Sequence, residues 1–352
     1  MLRPAYRITI GDHVVDTTSE PKASTAVELT VRLDMDTPVD GFTLLQGQVG
    51  GLAAVPGDDA SIELGYADET GGLVRVLTGV VVAVEPGLET KRITGHSAAD
   101  ALLRTFADRT FEDVTAGDIV RSLAADAGVD QERVEDGTQL PAYVIDGRRN
   151  AARHIHDLAV VCGFDTYVTA EGGLVFEAFA GNRTVHVLKY GEHVLSAELF
   201  RTRPRAGTVE VWGDSPGSSR GDESWAWLTK DFEPRRGSAG SSAPTLLVER
   251  PALRTAQATA TAASAIAEAL EEGALHGSVQ IQGRPEVALG DLVRLERFPA
   301  RAGVDEIDGN YQVRGVRHRL TKAGGFRTDI TFRSIVGAAA AGLGGGGLGG
   351  LA

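Results

Sequence analysis

Residues 60–67 (ASIELGYA), 74–86 (VRVLTGVVVAVEP) and 91–97 (KRITGHS) alternate apolar and polar side chains with a period of two. Successive side chains on a β-strand point to opposite faces of the sheet, so this alternation predicts three half-buried strands. Turn-forming residues lie between them, in Thr70-Gly71-Gly72 and Pro86-Gly87. The same alternation occurs upstream in 6–10 (YRITI), 26–35 (AVELTVRLDM) and 42–49 (FTLLQGQV). About six short strands separated by turns indicate a barrel or sandwich.

After residue 98, the spacing of the apolar residues changes from a period of two to that of an α-helix. A short helix is predicted from Ser97, with Leu102, Leu103 and Phe106 on one face. A second helix begins at Thr115, a suitable N-cap, with Asp118 in the position of a capping-box acid and Gly128 as its stop. A third helix is predicted over about 151–162 before Gly163, and a hairpin follows across Ala170–Gly173. These elements predict a small α/β domain over 99–190.

Alternating strands return from about residue 195 and continue to about 333. Two segments interrupt them. Residues 214–243 are rich in Ser, Gly, Pro and charge and predict a long exposed loop, whereas the Ala-rich residues 253–272 predict a helix. The last residues, GAAAAGLGGGGLGGLA, have few large side chains and predict a flexible tail.

The predicted fold class is therefore a β-rich α+β protein. It has two β-barrel domains, an inserted small α/β domain and a flexible Gly/Ala C-terminal tail. The predicted domain bounds are 1–98 for the first barrel, 99–190 for the insert, 191–336 for the second barrel and 337–352 for the tail.

Composition excludes several classes of function for the 352-residue chain. Its net charge of −13 argues against a free-standing nucleic-acid binder, which is usually basic. Its single cysteine excludes a disulfide within the chain and a Cys-rich metal site. No run of 18 apolar residues predicts a membrane span, and the N-terminus does not resemble a secretion signal. We expect synthesis and assembly in the cytoplasm.

Residues 213–217 match the G-x-S-x-G pattern of serine hydrolases, with Ser215 at the nucleophile position. In that motif the residue after the serine donates its backbone N–H to the oxyanion hole. Pro216 has no N–H, and the residues that follow do not predict a helix. The sequence therefore favours a turn here.

Three other short matches to functional motifs also favour structural explanations. His154 and His156 lie about 200° apart on the predicted third helix, so they cannot chelate one metal ion. Cys162 lies on the apolar stripe of that helix, where a free cysteine packs as a small hydrophobic residue. The tail has a formal G-x-G-x-x-G match at Gly342, but no strand–helix unit surrounds it. We predict no catalytic residue, no cofactor and no metal ligand.

Candidate partner contacts lie in the long loop and in the tail. Trp225 and Trp227 are suited to anchoring a protein interface, although packing of the loop on its own barrel explains them equally well. Gly344, Leu348 and Leu351 belong to a tail too poor in apolar area to order alone. We expect the tail to be disordered alone or ordered only against a partner.

Five stretches, in this order, resemble a known family. They are 93–102 (ITGHSAADAL), 104–129 (RTFADRTFEDVTAGDIVRSLAADAGV), 153–178 (RHIHDLAVVCGFDTYVTAEGGLVFEA), 276–296 (HGSVQIQGRPEVALGDLVRLE) and 309–332 (GNYQVRGVRHRLTKAGGFRTDITF). They resemble the phage late control protein D family, which overlaps the hub half of the type VI secretion VgrG proteins. The resemblance covers about residues 5–335.

This resemblance implies a structural baseplate hub without enzymatic activity. It implies a homotrimer of chains with two tube-like barrels each, which adapts a six-fold inner tube to a three-fold central spike. The implied partners are the tail-tube protein, the spike and other baseplate proteins such as a LysM-type subunit. The resulting phage-tail-like particle can be released from the cell. Family members of the VgrG type continue into a spike, whereas this sequence ends in the Gly/Ala tail.

Two alternatives remain open from the sequence. One is a tail-associated hydrolase with its active site near Ser215 or near the His154/His156 pair. The other is the equivalent hub of a non-contractile tail.

Overall fold

The computed structural model describes most of the chain. The described residues are 3–19, 25–38, 40–48, 51–68, 72–181, 183–214, 235–299 and 307–335.

The N-terminal block contains seven strands, and their alternating burial confirms the period of two in the sequence. Leu29, Leu44 and Ile93 point into the core, while their neighbours along each strand are partly or fully exposed. The strands are β1 (Pro4–Ile10), β2 (His13–Asp16), β3 (Ala26–Asp34), β4 (Gly41–Gly47), β5 (Asp59–Tyr66), β6 (Leu73–Pro86) and β7 (Thr90–Ser97).

The segment that follows mixes helices with short strands, as predicted. Its elements are α1 (Ala99–Arg104), β8 (Arg109–Thr115), α2 (Ala116–Ala127), β9 (Gln131–Val134), β10 (Gln139–Ile145), α3 (Ala151–Cys162), β11 (Phe164–Val168) and β12 (Leu174–Ala178). The Thr115 hydroxyl accepts the N–H of Asp118 at 3.1 Å, and the Asp118 carboxylate accepts the N–H of Thr115 at 3.0 Å. This reciprocal pair is the predicted capping box. Gly128 and Gly163 end α2 and α3 in the left-handed conformation.

The remaining elements are mostly strands. They are β13 (Val185–Lys189), β14 (Val194–Arg201), β15 (Thr208–Trp212), β16 (Arg236–Gly240), β17 (Thr245–Glu249), α4 (Ala256–Glu272), β18 (Leu275–Gln282), β19 (Leu292–Glu296), β20 (Gly309–Thr321) and β21 (Gly325–Arg333).

A curled thirteen-stranded sheet joins the two β blocks. Its main path runs β14-β18-β21-β20-β3-β4-β7-β6-β5-β1-β2, and β19 connects β13 to β20. The two blocks meet where β3 pairs antiparallel with β20, from Asp34 opposite Gly315 to Glu28 opposite Thr321. The β-rich fold with an inserted α/β segment is therefore confirmed, while the predicted tail lies outside the described residues.

Two hydrophobic cores show which segments pack together. The first core fills the inside of the large sheet and draws most of its residues from the two β blocks. The second core lies under α2 and α3, and includes Val209 and Val211 of β15 and Ala262 and Ala263 of α4. Residues of β15 and α4 therefore pack with the α/β insert. The domain bounds given above stay a prediction.

The prediction of a loop throughout 214–243 was wrong at its C-terminal end. Residues 236–240 (RGSAG) form β16, which pairs antiparallel with β15 and packs against α4. A Cβ atom on Gly237 would lie 2.2 Å from the backbone carbon of Thr259, so the strand can approach the helix only without a side chain there. The small, polar composition that suggested a loop instead permits close strand–helix packing.

Candidate functional site

Several sequence-predicted residues lie outside the described residues. These are Ser215, the candidate partner contacts Trp225 and Trp227, and the tail residues Gly344, Leu348 and Leu351. Their assignments as a turn or as partner contacts therefore stay predictions.

The two histidines of α3 do not converge on a common point. His154 is buried, and its Nδ1 lies 3.0 Å from the Tyr143 hydroxyl. Burial lowers the pKa of His154, so its imidazole is neutral at pH 7. His156 is exposed. Across the described part of the chain, no group of three or more His, Cys, Asp or Glu side chains is arranged to hold a metal ion.

Cys162 packs at the end of α3 as a mostly buried thiol. Its Sγ accepts the backbone N–H of Thr138 at 3.4 Å, and burial raises its pKa. A thiol with a raised pKa is a poor nucleophile because the thiolate is the reactive form. The prediction of a packing role therefore agrees with its surroundings.

An ionic cluster, buried except for Asp36, links the large sheet to the insert. The Arg314 guanidinium on β20 lies 2.6 Å from an Asp36 oxygen and 2.5 Å from an Asp165 oxygen on β11. Arg333 on β21 lies 3.5 Å from Asp165 and 2.9 Å from Glu272 at the end of α4. We call these five residues the junction cluster.

The charges of the junction cluster shift one another's pKa values. Burial disfavours the charged form of Arg314, but the carboxylates of Asp165 and Asp36 outweigh it and raise its pKa. Partial desolvation acts to raise the pKa of the exposed Asp36, and Arg314 reverses that effect, so the pKa is lowered overall. Arg333, buried beside Arg314, has a lowered pKa. The cluster is a structural contact, since every named charge faces an opposite one.

A cleft of about 700 Å³ lies beside the junction cluster. One rim is the turn between β3 and β4, which includes Thr37 and Asp40, and the other is the start of α3. Asp40 is buried and accepts the backbone N–H of Asp34 at 2.6 Å. Its burial raises its pKa to about 7. The composition of residues 38–41 (PVDG) predicts only a turn, and no local signal there indicates a buried carboxyl group.

Phe106 lies on the same cleft and differs from its prediction. The sequence placed it on the apolar face of the first helix with Leu102 and Leu103. That helix ends at Arg104, and the Phe106 side chain beyond it is 57% exposed. It therefore offers an aromatic surface at the mouth of the cleft.

Three strands of the large sheet have a single partner within the described residues: β14 and β2 end its main path, and β13 pairs only with β19. Within the described residues, β14 pairs only with β18, and β2 pairs only with β1. The edge strand β14 exposes Leu195 by 58% and Phe200 by 50%, and the Phe200 ring stacks on His276 with centroids 5.6 Å apart. Unpaired backbone groups beside exposed apolar side chains are suited to pairing with another chain.

The whole chain is similar to solved structures of phage tail proteins. The 43 kDa tail protein of prophage MuSo2 from Shewanella oneidensis matches with a TM-score of 0.70 and 14% identity, over 96% of this chain and 99% of that one. A tail protein from Neisseria meningitidis MC58 matches with the same values. An Escherichia coli component of the type VI secretion system matches with a TM-score of 0.58 and 11% identity, over 94% of this chain and 80% of that one.

These similarities are of structure. No protein-family model matches the chain, and no curated protein matches its sequence. The chain therefore shares its fold with phage tail proteins and with a type VI secretion component, through both β blocks and the insert. Among the described helices, none is long and apolar enough to cross a membrane.

Proposed function

We propose that this chain is a structural baseplate hub of a phage tail or a contractile injection system, without enzymatic activity. The observation that carries the proposal is the whole-chain match, which covers 96% of this chain and 99% of the Shewanella tail protein. A match of that extent includes the large sheet, the insert and their junction. The motif resemblance in the sequence points to the same class of protein independently.

The finer proposal is a homotrimer that joins a six-fold tube to a three-fold spike. Each chain supplies two β blocks, so three chains supply six. Such a ring can contact a hexameric tube protein on one side and a trimeric spike on the other, with further baseplate proteins such as a LysM-type subunit around it.

The edges at β14 and β2, which end the main path of the large sheet, are the surfaces we assign to ring closure. A cyclic ring uses heterologous contacts, in which one surface of a chain meets a different surface of the next. The edge strand β14 belongs to the C-terminal β block and β2 belongs to the N-terminal block, at opposite ends of the sheet path. The exposed Leu195 and Phe200 supply apolar area to such an interface.

Native mass spectrometry of the full chain tests this proposal. We expect a trimer for the parent chain and a monomer for Phe200→Glu, because a buried unpaired carboxylate opposes association. The matched control is Leu247→Glu on β17, which replaces another exposed apolar side chain, 65% exposed, in the separate three-stranded sheet. The control should remain trimeric, and circular dichroism should show that both variants fold.

A reconstruction of the assembled particle provides the decisive count. Three copies at one level between tube and spike would agree with the proposal. A stable monomer in the assembled particle, or six copies at that level, would contradict the adaptor role.

A further inference from the structure

The cleft beside the junction cluster has the dimensions of a binding site. Its volume of about 700 Å³ lies within the range of about 300–1,000 Å³ that is usual for ligand sites. Buried apolar side chains form part of its lining, including Leu102, Ile155 and Leu174. Polar groups concentrate on the two rims.

The charges on the rims pair with opposite charges, with one exception. The ion pairs, each within 4 Å, are Arg32–Asp34, Asp36–Arg314, Arg148–Asp146, Arg149–Asp157 and Arg153–Asp157. Within the described part of the chain, Asp40 forms no ion pair, and its carboxylate accepts a hydrogen bond from the backbone N–H of Asp34. Arg32 acts on Asp40 from a distance but pairs with Asp34. A buried carboxylate that no cation contacts is costly, so the cleft favours an incoming positive charge.

Two further groups on the cleft lack partners within the described part of the chain. The Thr37 hydroxyl oxygen is buried and makes no hydrogen bond there. The Phe106 ring is more than half exposed, and aromatic rings of this kind are enriched at protein interfaces. A hydroxyl group, an aromatic ring and a carboxylate in one cleft match the mixed chemistry of a polypeptide.

We propose that this cleft binds a peptide segment of a partner protein that presents a lysine or arginine to Asp40 and a large apolar side chain to Phe106. A small amine would satisfy Asp40 but would leave Phe106 exposed, which is why the occupant we assign is a peptide. The proposal does not depend on the trimer.

Selection from a phage-displayed library of random 12-residue peptides tests this inference on the purified full chain. The selection is done at pH 8, where Asp40 carries its charge. We expect the enriched peptides to share a lysine or arginine within a few residues of a large apolar residue. Enriched peptides without a basic residue would overturn the proposal.

Variants then locate the binding of one enriched synthetic peptide. Asp40→Asn, which keeps the shape of the side chain, and Phe106→Ser should each raise its Kd at least tenfold. The controls Asp68→Asn and Leu88→Ser change an exposed carboxylate and an exposed apolar residue elsewhere, and should leave the Kd unchanged. An unchanged Kd in both cleft variants would overturn the proposal. So would spermidine that binds the parent chain as tightly as the peptide does.

Discussion

The guanidinium of Arg314 lies between two carboxylates that come from different parts of the fold. Asp36 follows β3 of the large sheet, and Asp165 belongs to β11 of the insert. The Arg314 and Asp165 side chains are 11% and 10% exposed, so neither charge can rely on water for stabilisation. Each group therefore depends on the other, and the pair fixes the insert against the sheet.

Arg314→Met should destabilise the protein strongly. Removing one partner of a buried ion pair leaves an uncompensated charge, which costs about 3–5 kcal/mol. Because Arg333 remains near Asp165, we expect a loss at the lower end of this range. Urea unfolding measures the loss. The control is Arg3→Met, whose pair with Asp68 is half exposed and should contribute less than about 1 kcal/mol. A loss below about 1 kcal/mol for Arg314→Met would contradict a structural role for the cluster.

Asp40 should give the stability of the protein a distinctive pH dependence. Its pKa rises from 3.8 in the unfolded chain to about 7 in the folded protein. Between these two pH values the folded state binds more protons than the unfolded state does. The contribution of Asp40 to the free energy of unfolding is therefore full below pH 4 and falls as the pH rises to 7.

Asp40→Asn isolates this effect because asparagine does not ionise. The free energy of unfolding of the variant, relative to that of the parent, should rise by about 2–4 kcal/mol between pH 4 and pH 7. It should not change further above pH 8. Urea unfolding of both proteins at several pH values measures the difference between their free energies of unfolding. The contributions of the other carboxyl groups are the same in both proteins and cancel in this difference. A difference that does not change with pH would show that Asp40 is solvated in the folded protein.

At the scale of the element, β16 and α4 show how composition can mislead. Their packing depends on Gly237, where a Cβ atom would lie 2.3 Å from the backbone nitrogen of Ala260. Glycine weakens a strand when it is viewed in isolation. Here it allows the strand backbone to contact the helix backbone, and α4 contributes its small alanines to the second core.

Gly237→Ala should therefore force β16 away from α4. Overpacking of this kind costs about 1–3 kcal/mol, which urea unfolding can resolve. The matched control is Gly47→Ala at the end of β4, where an added Cβ meets no atom within 4 Å. Equal effects of the two substitutions would mean that β16 does not pack on α4 in solution.

Local signals in the sequence predicted the local elements well. The capping box of Thr115 and Asp118, the stop at Gly128 and the alternating strands all depend on residues close together in the chain. The pairing of β3 with β20 and the contact of Asp36 with Arg314 join residues far apart in sequence, so no local period reveals them. Asp40 is missed for the same reason, since its burial comes from elements that pack over its turn.

At the scale of the whole molecule, the sheet makes the two β blocks one structure. The seven residue pairs between β3 and β20 carry the contact. Since both strands lie in the middle of the same sheet, neither can open without exposing the shared core.

Native-state hydrogen exchange should show this coupling. The central amides of β3 and β20 should open with free energies that agree within about 1 kcal/mol, because they belong to one cooperative unit. The two-stranded pair of β8 and β10 provides the comparison and should exchange faster. Opening free energies for β3 and β20 that differ by more than about 2 kcal/mol would indicate blocks that unfold separately.

The same pairing has a consequence for biosynthesis. Asp34 leaves the ribosome about 280 residues before its partner Gly315, and translation at about 5–20 residues per second makes that delay roughly 15–60 s. Throughout this interval the edge of β3 that later pairs with β20 presents unpaired backbone groups to other nascent chains on the same messenger RNA. The soluble yield of this protein therefore depends on how quickly translation reaches the strand that covers that edge.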